Sequence, residues 1–245
     1  METPITPYRW TSGGLTDPGR RRKVNQDNFL DRPDLGLWAV ADGMGGHRDG
    51  GRASRTLVEA LATLPRPRLL GAAADAVRGV LTKVNRQLAE ETAADGGDVV
   101  GSTIVTLIAV GDHCGILWVG DSRAYRLRDG VMTRVSRDHT QVQALVDQGV
   151  LAPEQAEHHP YSNVLARAIG AESTVEIDTL IAPLRAGDRY LLCSDGLDKE
   201  VSDAQIAAVL ADGAPGQAAQ ALVERACEAG GRDNVTAVVV QFDSA

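Results

Sequence analysis

The sequence predicts an α+β fold in which two stacked antiparallel sheets are flanked by helix pairs, a four-layer α-β-β-α sandwich. Its predicted elements run in the order strand, two helices, a block of strands, two helices and a final strand. Helices that come in pairs argue against a doubly wound parallel sheet, where one helix follows each strand. Several strands are apolar almost throughout, which indicates that both faces of the sheets are covered. The 245 residues show no repeat or linker, so we expect one domain over residues 1–245.

The first predicted elements are a strand and a helix pair. The apolar run Leu37–Ala41 ends at an Asp-Gly dipeptide and is typical of a buried strand. Apolar residues at helical spacing predict helices over Asp49–Leu64 and Leu69–Ala94. The two prolines Pro65 and Pro67 separate them, because proline interrupts a helix.

Two β-hairpins follow the helix pair. The first joins Ser102–Val110 to Cys114–Val119, and the second joins Ala124–Leu127 to Val131–Val135. The second hairpin turns at Asp129-Gly130, a dipeptide that tight turns favour. After these hairpins the chain is expected to leave the core.

The C-terminal half begins with a segment, 138–163, that starts with a helical pattern and then becomes polar. We expect it to form a flap-like excursion over the surface. Strands are then predicted at Val175–Ile181, Tyr190–Cys193 and Val235–Phe242. Two helices precede the last strand: one from a capping box at Ser202 to Leu210, and one over Gln217–Ala229.

Composition excludes several classes of function. The 25 basic and 33 acidic residues leave a net charge of −8, opposite in sign to the footprint of a nucleic-acid-binding protein. No apolar run reaches about 18 residues, the length that a membrane-spanning helix needs. The N-terminus lacks the pattern of a signal peptide. Three widely spaced cysteines, Cys114, Cys193 and Cys227, fit buried thiols in a reducing compartment. We therefore expect a cytoplasmic protein.

Four aspartates lie at abrupt ends of apolar runs: Asp42, Asp121, Asp195 and Asp233. Any one of them is explained by a turn in which the carboxylate binds its own backbone. If the strands lie in adjacent sheets, however, these carboxylates converge, and a converging set needs cations between its members. Oxygen ligands favour Mg²⁺ or Mn²⁺ over zinc.

A second candidate cluster contains Arg22 and Asp27, five residues apart. In an extended segment both side chains can face one site. On spacing alone, Arg22 belongs to a solvated basic run, because Arg20, Arg21, Arg22 and Lys23 are consecutive.

Eight short motifs run in order along nearly the whole chain. They are Arg22-x-Val-Asn-Gln-Asp27-Asn, Ala41-Asp42-Gly43-Met44-Gly45-Gly46-His47, Gly101-Ser102-Thr103, Val119-Gly120-Asp121-Ser122-Arg123-Ala124-Tyr125, Ser136-Arg137-Asp138-His139, Leu165-Ala-Arg-Ala-Ile-Gly170, Leu192-Cys-Ser-Asp195-Gly196-Leu197 and Gly231-Arg-Asp233-Asn234-Val-Thr. In this set and order the chain resembles the PPM (PP2C) family of metal-dependent Ser/Thr protein phosphatases, of the stand-alone bacterial type.

The resemblance implies a binuclear Mn²⁺ or Mg²⁺ centre at one end of the β-sandwich. By the match, Asp42 bridges two ions and the carbonyl of Gly43 ligates one of them. Asp195 and Asp233 complete the other, and Asp27 holds metal-bound waters.

Two further roles are implied by the same match. Arg22 binds the substrate phosphate, with a guanidinium suited to a bidentate contact. Asp121 occupies the position at which many bacterial members hold a third ion. The expected cofactor set is therefore two tightly bound ions, with a third as an option.

The chain departs from the family pattern at two positions. Gln26 stands where a glutamate is frequent, so one ion loses a nearby negative charge. Met44 stands where animal members carry a histidine that is regarded as the proton donor, which leaves the donor unassigned. His47, three residues on, reads as a structural histidine rather than a substitute.

The resemblance implies hydrolysis of phosphoserine and phosphothreonine in proteins by a metal-activated water. Two alternatives remain at this point: a phosphoprotein-binding pseudophosphatase or scaffold of the same fold, and a different metallohydrolase such as a nuclease. The expected partners are phosphoproteins and a cognate bacterial Ser/Thr kinase, with a type VI secretion system as one setting. We expect a monomer that binds neither nucleic acid nor membrane.

Overall fold

The computed structural model describes residues 7–44, 50–95, 99–156 and 159–245. Its strands are β1 (Tyr8–Asp17), β2 (Asp27–Arg32), β3 (Leu37–Met44), β4 (Gly101–Ser102), β5 (Ile104–Val110), β6 (His113–Val119), β7 (Arg123–Arg128), β8 (Val131–Arg134), β9 (Asp178–Pro183), β10 (Arg189–Cys193) and β11 (Val235–Ser244). Its helices are α1 (Gly50–Ala62), α2 (Leu70–Asp95), α3 (Gln141–Asp147), α4 (Pro153–Ala156), α5 (Asp195–Asp198), α6 (Asp203–Leu210) and α7 (Pro215–Ala229).

The strands form two antiparallel sheets. One has the order β1-β11-β10-β7-β8, and the other has the order β2-β3-β5-β6-β9, with the short β4 paired to β3. The fold class predicted from the sequence, with stacked antiparallel sheets and helix pairs outside, is confirmed.

Three apolar cores hold the layers together. Between the sheets, Trp38 on β3 packs edge-on against Phe242 on β11, with ring centroids 6.1 Å apart. A second core lies between the β2-β3-β5-β6-β9 sheet and the pair α1 and α2, and includes Leu57 and Leu81. A third lies between the other sheet and the pair α6 and α7, and includes Leu222. This is why the strands read as apolar on both faces.

The sequence gives no clear signal for the two N-terminal strands, β1 and β2. β1 is an edge strand with a mostly half-exposed surface, paired along its whole length with β11. Gly13 and Gly14 suggest a turn, but at Gly13 the absence of a side chain lets α7 approach. A Cβ there would lie 2.6 Å from the Cα of Gly216. The packing of α7 against β1 therefore explains why Gly13 lies in a strand rather than in a turn.

The other predicted elements were close to the observed ones. The prolines Pro65 and Pro67 lie between α1 and α2 as predicted. The strand predicted at Val175–Ile181 begins later, at Asp178. The excursion at 138–163 starts with α3, as its helical pattern indicated, and its action as a flap stays a prediction. Among the described residues, no helix combines the length and apolar character needed to cross a membrane.

Candidate metal centre

Two carboxylates face each other at one end of the β-sandwich. Asp27, the first residue of β2, is paired in register with Asp42 on β3. Hydroxyl groups from the other sheet reach Asp27: Ser194 Oγ and Thr236 Oγ1 both donate to its Oδ2, each at a distance of 2.7 Å. The two sheets are thus joined at this point.

Asp27 is deeply buried, with 4% of its surface exposed. Burial, the largest effect, raises its pKa to about 6 although the two hydroxyl groups stabilise the ionised form. Its Oδ1 is buried and has no hydrogen-bond partner among the described residues. A buried carboxylate oxygen of this kind calls for a cation, a water molecule or a proton.

Asp42 lies at the centre of a larger set of carboxylates. Burial raises its pKa well above the usual range, and negative charges on nearby aspartates raise it further. In decreasing order of effect these are Asp27, Asp195, Asp121 and Asp233. The structure therefore brings together the strand-end aspartates that the sequence singled out.

The Gly101-Ser102-Thr103 motif fixes the backbone of Asp42. Ser102 Oγ and Thr103 N both donate to the carbonyl oxygen of Asp42, at 2.9 Å in each case. In return, the Asp42 N–H donates to Thr103 Oγ1 at 3.2 Å. Asp42 thus stands on a strand end whose backbone is held by three hydrogen bonds.

Gly43 is required by a close approach of two backbones. A Cβ at this position would lie 2.1 Å from the carbonyl oxygen of Gly50 at the start of α1. The Gly43 N–H donates to the carbonyl of Gln26 at 3.2 Å. Only glycine fits here, which accounts for the Asp-Gly dipeptide without a turn.

Asp195 begins α5 directly after β10 and uses its two oxygens differently. Its Oδ2 accepts a hydrogen bond from Lys199 Nζ, one helical turn later. Its Oδ1 is buried and has no hydrogen-bond partner in the described part of the chain. Asp121, at the end of β6, is 8% exposed. Burial and the nearby Asp195 raise the pKa of Asp121 to about 7.

Arg22 binds Asp233 at the mouth of the site. Its Nε and Nη2 donate to the two carboxylate oxygens at distances of 2.9 and 2.8 Å, which makes a bidentate pair. The Arg22 side chain is 57% exposed. Its pKa is raised above the usual value, chiefly by the hydrogen bonds to Asp233.

Asn234 brings Arg22 to this position. Its Oδ1 accepts a hydrogen bond from the Gln26 N–H at 2.8 Å, and its Nδ2 donates to the carbonyls of Pro18 and Val24, each at 3.0 Å. The loop before β2 is thereby tied to the start of β11. Arg22 is therefore a specific partner in the cluster, although its neighbours in the basic run are exposed.

A half-buried arginine links the excursion to α5. Arg123 on β7 donates through Nη2 to Asp138 at 2.7 Å and pairs through Nη1 with Asp198 at 2.6 Å. Nearby, the Gly120 N–H donates to His139 Nδ1 at 3.1 Å, and burial lowers the pKa of His139. The Ser136-Arg137-Asp138-His139 motif thus holds the start of the excursion against the strand end that carries Asp121.

Sequence reasoning missed several contributors to the site. Ser194 and Thr236 lie inside the quoted motifs, but their hydrogen bonds across the sheets have no sequence signal. Lys199 lies four residues after Asp195, a helical spacing that becomes visible only once α5 is assigned. Met44 is the last residue of β3, paired with Gly101. His47 lies outside the described residues.

The donor set fits hard divalent cations. It consists of carboxylate and carbonyl oxygens, the ligands of Mg²⁺ and Mn²⁺. Three buried carboxylate oxygens, Asp27 Oδ1, Asp195 Oδ1 and Asp198 Oδ1, have no hydrogen-bond partner in the described residues. Among these residues, no group of three or more His, Cys, Asp or Glu side chains is arranged so that it could hold a metal ion as it stands. Asp233 and Asp195 instead bind Arg22 and Lys199.

The chain matches a known protein family over most of its length. The model of the family described as protein phosphatase 2C matches residues 19–225. The chain belongs to this family. The resemblance read from the eight motifs is thereby confirmed.

Relatives in this family are similar over most of the chain. The serine/threonine protein phosphatase PstP of Mycobacterium tuberculosis is 40% identical over 228 residues, which cover 91% of this chain and 43% of PstP. The chain thus spans less than half the length of that relative. A solved structure of PppA, described as a key regulatory component of T6SS in Pseudomonas aeruginosa, is 41% identical with a TM-score of 0.89. It covers 95% of this chain, and 97% of PppA is matched.

A third comparison concerns metal. The catalytic domain of the serine/threonine protein phosphatase PstP, solved in complex with two manganese ions, is 36% identical to this chain with a TM-score of 0.84. The match covers 97% of this chain and all of that domain. Metal dependence is therefore a property of this protein phosphatase 2C family.

Proposed function

We propose that this chain is a metal-dependent phosphoprotein phosphatase that hydrolyses phosphoserine and phosphothreonine. The observation that carries the proposal is the buried set of carboxylates around Asp42. Such a set is tolerated when cations neutralise it. Membership of the protein phosphatase 2C family and the names of the relatives support the same activity.

Asp42, Asp195, Asp233 and the carbonyl of Gly43 are the proposed ligands of two Mn²⁺ or Mg²⁺ ions. When bound, such ions lower the pKa of a water molecule and neutralise charge on the phosphoryl group during transfer. Asp27 is proposed to orient water from the buried end of the site. Its Oδ2 is held by two hydroxyl groups, and its Oδ1 remains available as an acceptor.

Arg22 is proposed to bind the phosphate of the substrate. Its guanidinium is exposed at the mouth of the site and held over Asp233. The pair in the structure uses Nε and Nη2, so Nη1 is not part of it and is proposed to donate to a phosphate oxygen. Because a guanidinium matches the geometry of phosphate oxygens, it positions the phosphorus above the carboxylate cluster.

The proposed setting is bacterial signalling. Phosphorylated proteins are the proposed partners, together with a cognate Ser/Thr kinase, and the likeness to PppA supports a role beside a type VI secretion system. The cytoplasmic location and the monomeric state stay predictions. Comparing phosphoproteins in cells with and without the gene would identify the substrates.

One assay tests the activity against its two alternatives. The purified chain is incubated with p-nitrophenyl phosphate, a phosphothreonine peptide and DNA, with Mn²⁺ or with EDTA. We expect Mn²⁺-dependent release of phosphate from the first two substrates and no cleavage of DNA. Binding of the phosphopeptide without turnover would instead support a scaffold, and DNA cleavage would support a nuclease.

A further inference from the structure

A lysine lies inside the carboxylate cluster. Lys199, on the turn after α5, donates to Asp195 Oδ2 from four residues along the chain. It is one of three lysines in the sequence, with Lys23 and Lys83. Its side chain is 39% exposed, so it reaches the cluster from the solvent side.

The Lys199 ammonium also acts on Asp121. Burial and the charge of Asp195 raise the pKa of Asp121, and the positive charge of Lys199 opposes that rise. Conversely, Asp195, Asp121 and Asp198 all favour the charged form of Lys199. One ammonium group thus pairs with Asp195 and also favours the ionised form of Asp121, the carboxylate to which the family pattern assigns a third ion.

We propose that the Lys199 ammonium is the built-in cation of the corner formed by Asp121 and Asp195, so that this chain binds two divalent ions and no third. The inference rests on the proposed function, because it concerns the ion content of that same centre. Asp121 then serves as a partner of Lys199 rather than as a metal ligand.

The division of the Asp195 oxygens supports this arrangement. Oδ1 is buried and open to an ion of the binuclear pair, whereas Oδ2 is engaged by Lys199. A third divalent ion at Oδ2 would have to displace an ammonium group that already pairs with this oxygen. It would also meet the repulsion of that positive charge at close range.

Counting bound ions tests the proposal without reference to activity. The full chain, stripped with EDTA, is titrated with Mn²⁺, and the free ion is measured by its electron paramagnetic resonance signal. We expect two ions per wild-type chain and two per Lys199→Arg chain, since arginine keeps the positive charge. Lys199→Asp adds a carboxylate in place of the cation, and we expect three ions per chain, one more than wild type binds.

The exposed Lys83 on α2 supplies a control, because Lys83→Asp makes the same change in net charge away from the site. It is expected to bind two ions. In the Lys199→Asp background, Asp121→Asn is expected to abolish the third ion. Circular dichroism of every variant checks that the fold is retained.

A third ion in wild type that disappears in Asp121→Asn would overturn the inference and leave the binuclear centre intact. The same holds if Lys199→Asp gains no ion. Fewer than two ions in wild type would contradict the binuclear centre itself, and the inference would fall with it. Failure of the inference and failure of the proposed function therefore give different ion counts.

Discussion

Asp27 and Asp42 stand opposite each other on β2 and β3, and the hydroxyl groups of Ser194 and Thr236 hold Asp27 from the other sheet. Two carboxylates are thus fixed side by side: burial raises the pKa of both, and the negative charge of Asp27 raises the pKa of Asp42 further. The arrangement opposes folding unless a cation or a proton is present. Stability and activity are therefore expected to respond in opposite directions to loss of a carboxylate.

Asp42→Asn is expected to abolish Mn²⁺-stimulated hydrolysis and to raise the melting temperature of the EDTA-treated protein. The amide removes a buried negative charge from the cluster, and relief of about 1 kcal/mol raises the melting temperature of a chain of this size by about 2–4 °C. Phosphate release and thermal melts followed by circular dichroism measure the two effects. Asp75→Asn, on the exposed side of α2, is the control and should change neither.

Near wild-type turnover of Asp42→Asn at saturating Mn²⁺ would refute its assignment as a metal ligand. A lower melting temperature in EDTA would refute the argument from repulsion.

Arg22→Ala is expected to lower kcat/KM, because it removes a charged hydrogen bond to the phosphate. The loss corresponds to about 1.5–3 kcal/mol of transition-state stabilisation. Steady-state kinetics on p-nitrophenyl phosphate and on a phosphopeptide measure the loss. Arg21→Ala, one residue earlier in the exposed basic run, is the matched control. Equal kinetics for the two variants would return Arg22 to the solvated run.

Much of the fold was predictable because the apolar pattern records burial. The runs at β3, β5 and β11 lie between two covered faces, so they read as strands without tertiary information. β1 was not predictable, since its structure depends on pairing with β11 and on the approach of α7 at Gly13. Such contacts join residues more than 200 positions apart.

The sequence marked the candidate residues of the site but did not give their geometry. Strand ends marked Asp42, Asp121, Asp195 and Asp233, and convergence came from the family pattern. The contacts of Arg22 with Asp233 and of Lys199 with Asp195 arise where separate loops and helix turns meet. Spacing alone placed Arg22 in a solvated run, because the loop that carries it is positioned by Asn234.

Without metal, the protein is expected to gain stability from Asp121 as the pH falls from 8 to 6. The pKa of Asp121 is about 7 in the folded chain, far above its value of about 3.9 when unfolded, so the folded state takes up the proton first. This amounts to about 1.4 kcal/mol over the two pH units, or about 3–6 °C in melting temperature. With Mn²⁺ bound the trend should reverse, since ligands must lose their protons to bind a metal.

His139 works against this gain, because its lowered pKa keeps it neutral when folded while the unfolded chain takes up a proton. The measurement is therefore the difference between wild type and Asp121→Asn, in EDTA, across the same pH range. The two share His139, so its contribution cancels. If the melting temperatures of the two proteins change with pH in the same way, the raised pKa of Asp121 is contradicted.

Arg123→Gln is expected to destabilise the protein by about 3–5 kcal/mol, because it leaves the buried Asp198 carboxylate without its cation and Asp138 with only the longer 3.4 Å contact to Arg134. Arg123→Lys should lose less stability, since an ammonium keeps the charge but lacks the fork that reaches both partners. Urea unfolding in the presence of Mn²⁺ measures both variants. A loss below about 1 kcal/mol for Arg123→Gln would mean that solvent screens this cluster.

Gly196→Ala is expected to impair metal binding through the backbone alone. A Cβ at Gly196 would lie 2.0 Å from the carbonyl oxygen of Asn234, so α5 and the start of β11 would have to move apart. Asp195 and Asp233 sit on these two segments, next to the clash, and their separation would widen. We expect at least about tenfold weaker Mn²⁺ binding, since hard-cation sites depend on ligand geometry.

Gly79→Ala on α2 is the control: its Cβ meets nothing within 4 Å. That change should raise stability by about 0.5–1 kcal/mol, because alanine suits a helix better than glycine. Calorimetric titration with Mn²⁺ and thermal melts separate the two effects. Unchanged Mn²⁺ affinity in a folded Gly196→Ala chain would show that the spacing of Asp195 and Asp233 does not govern the centre.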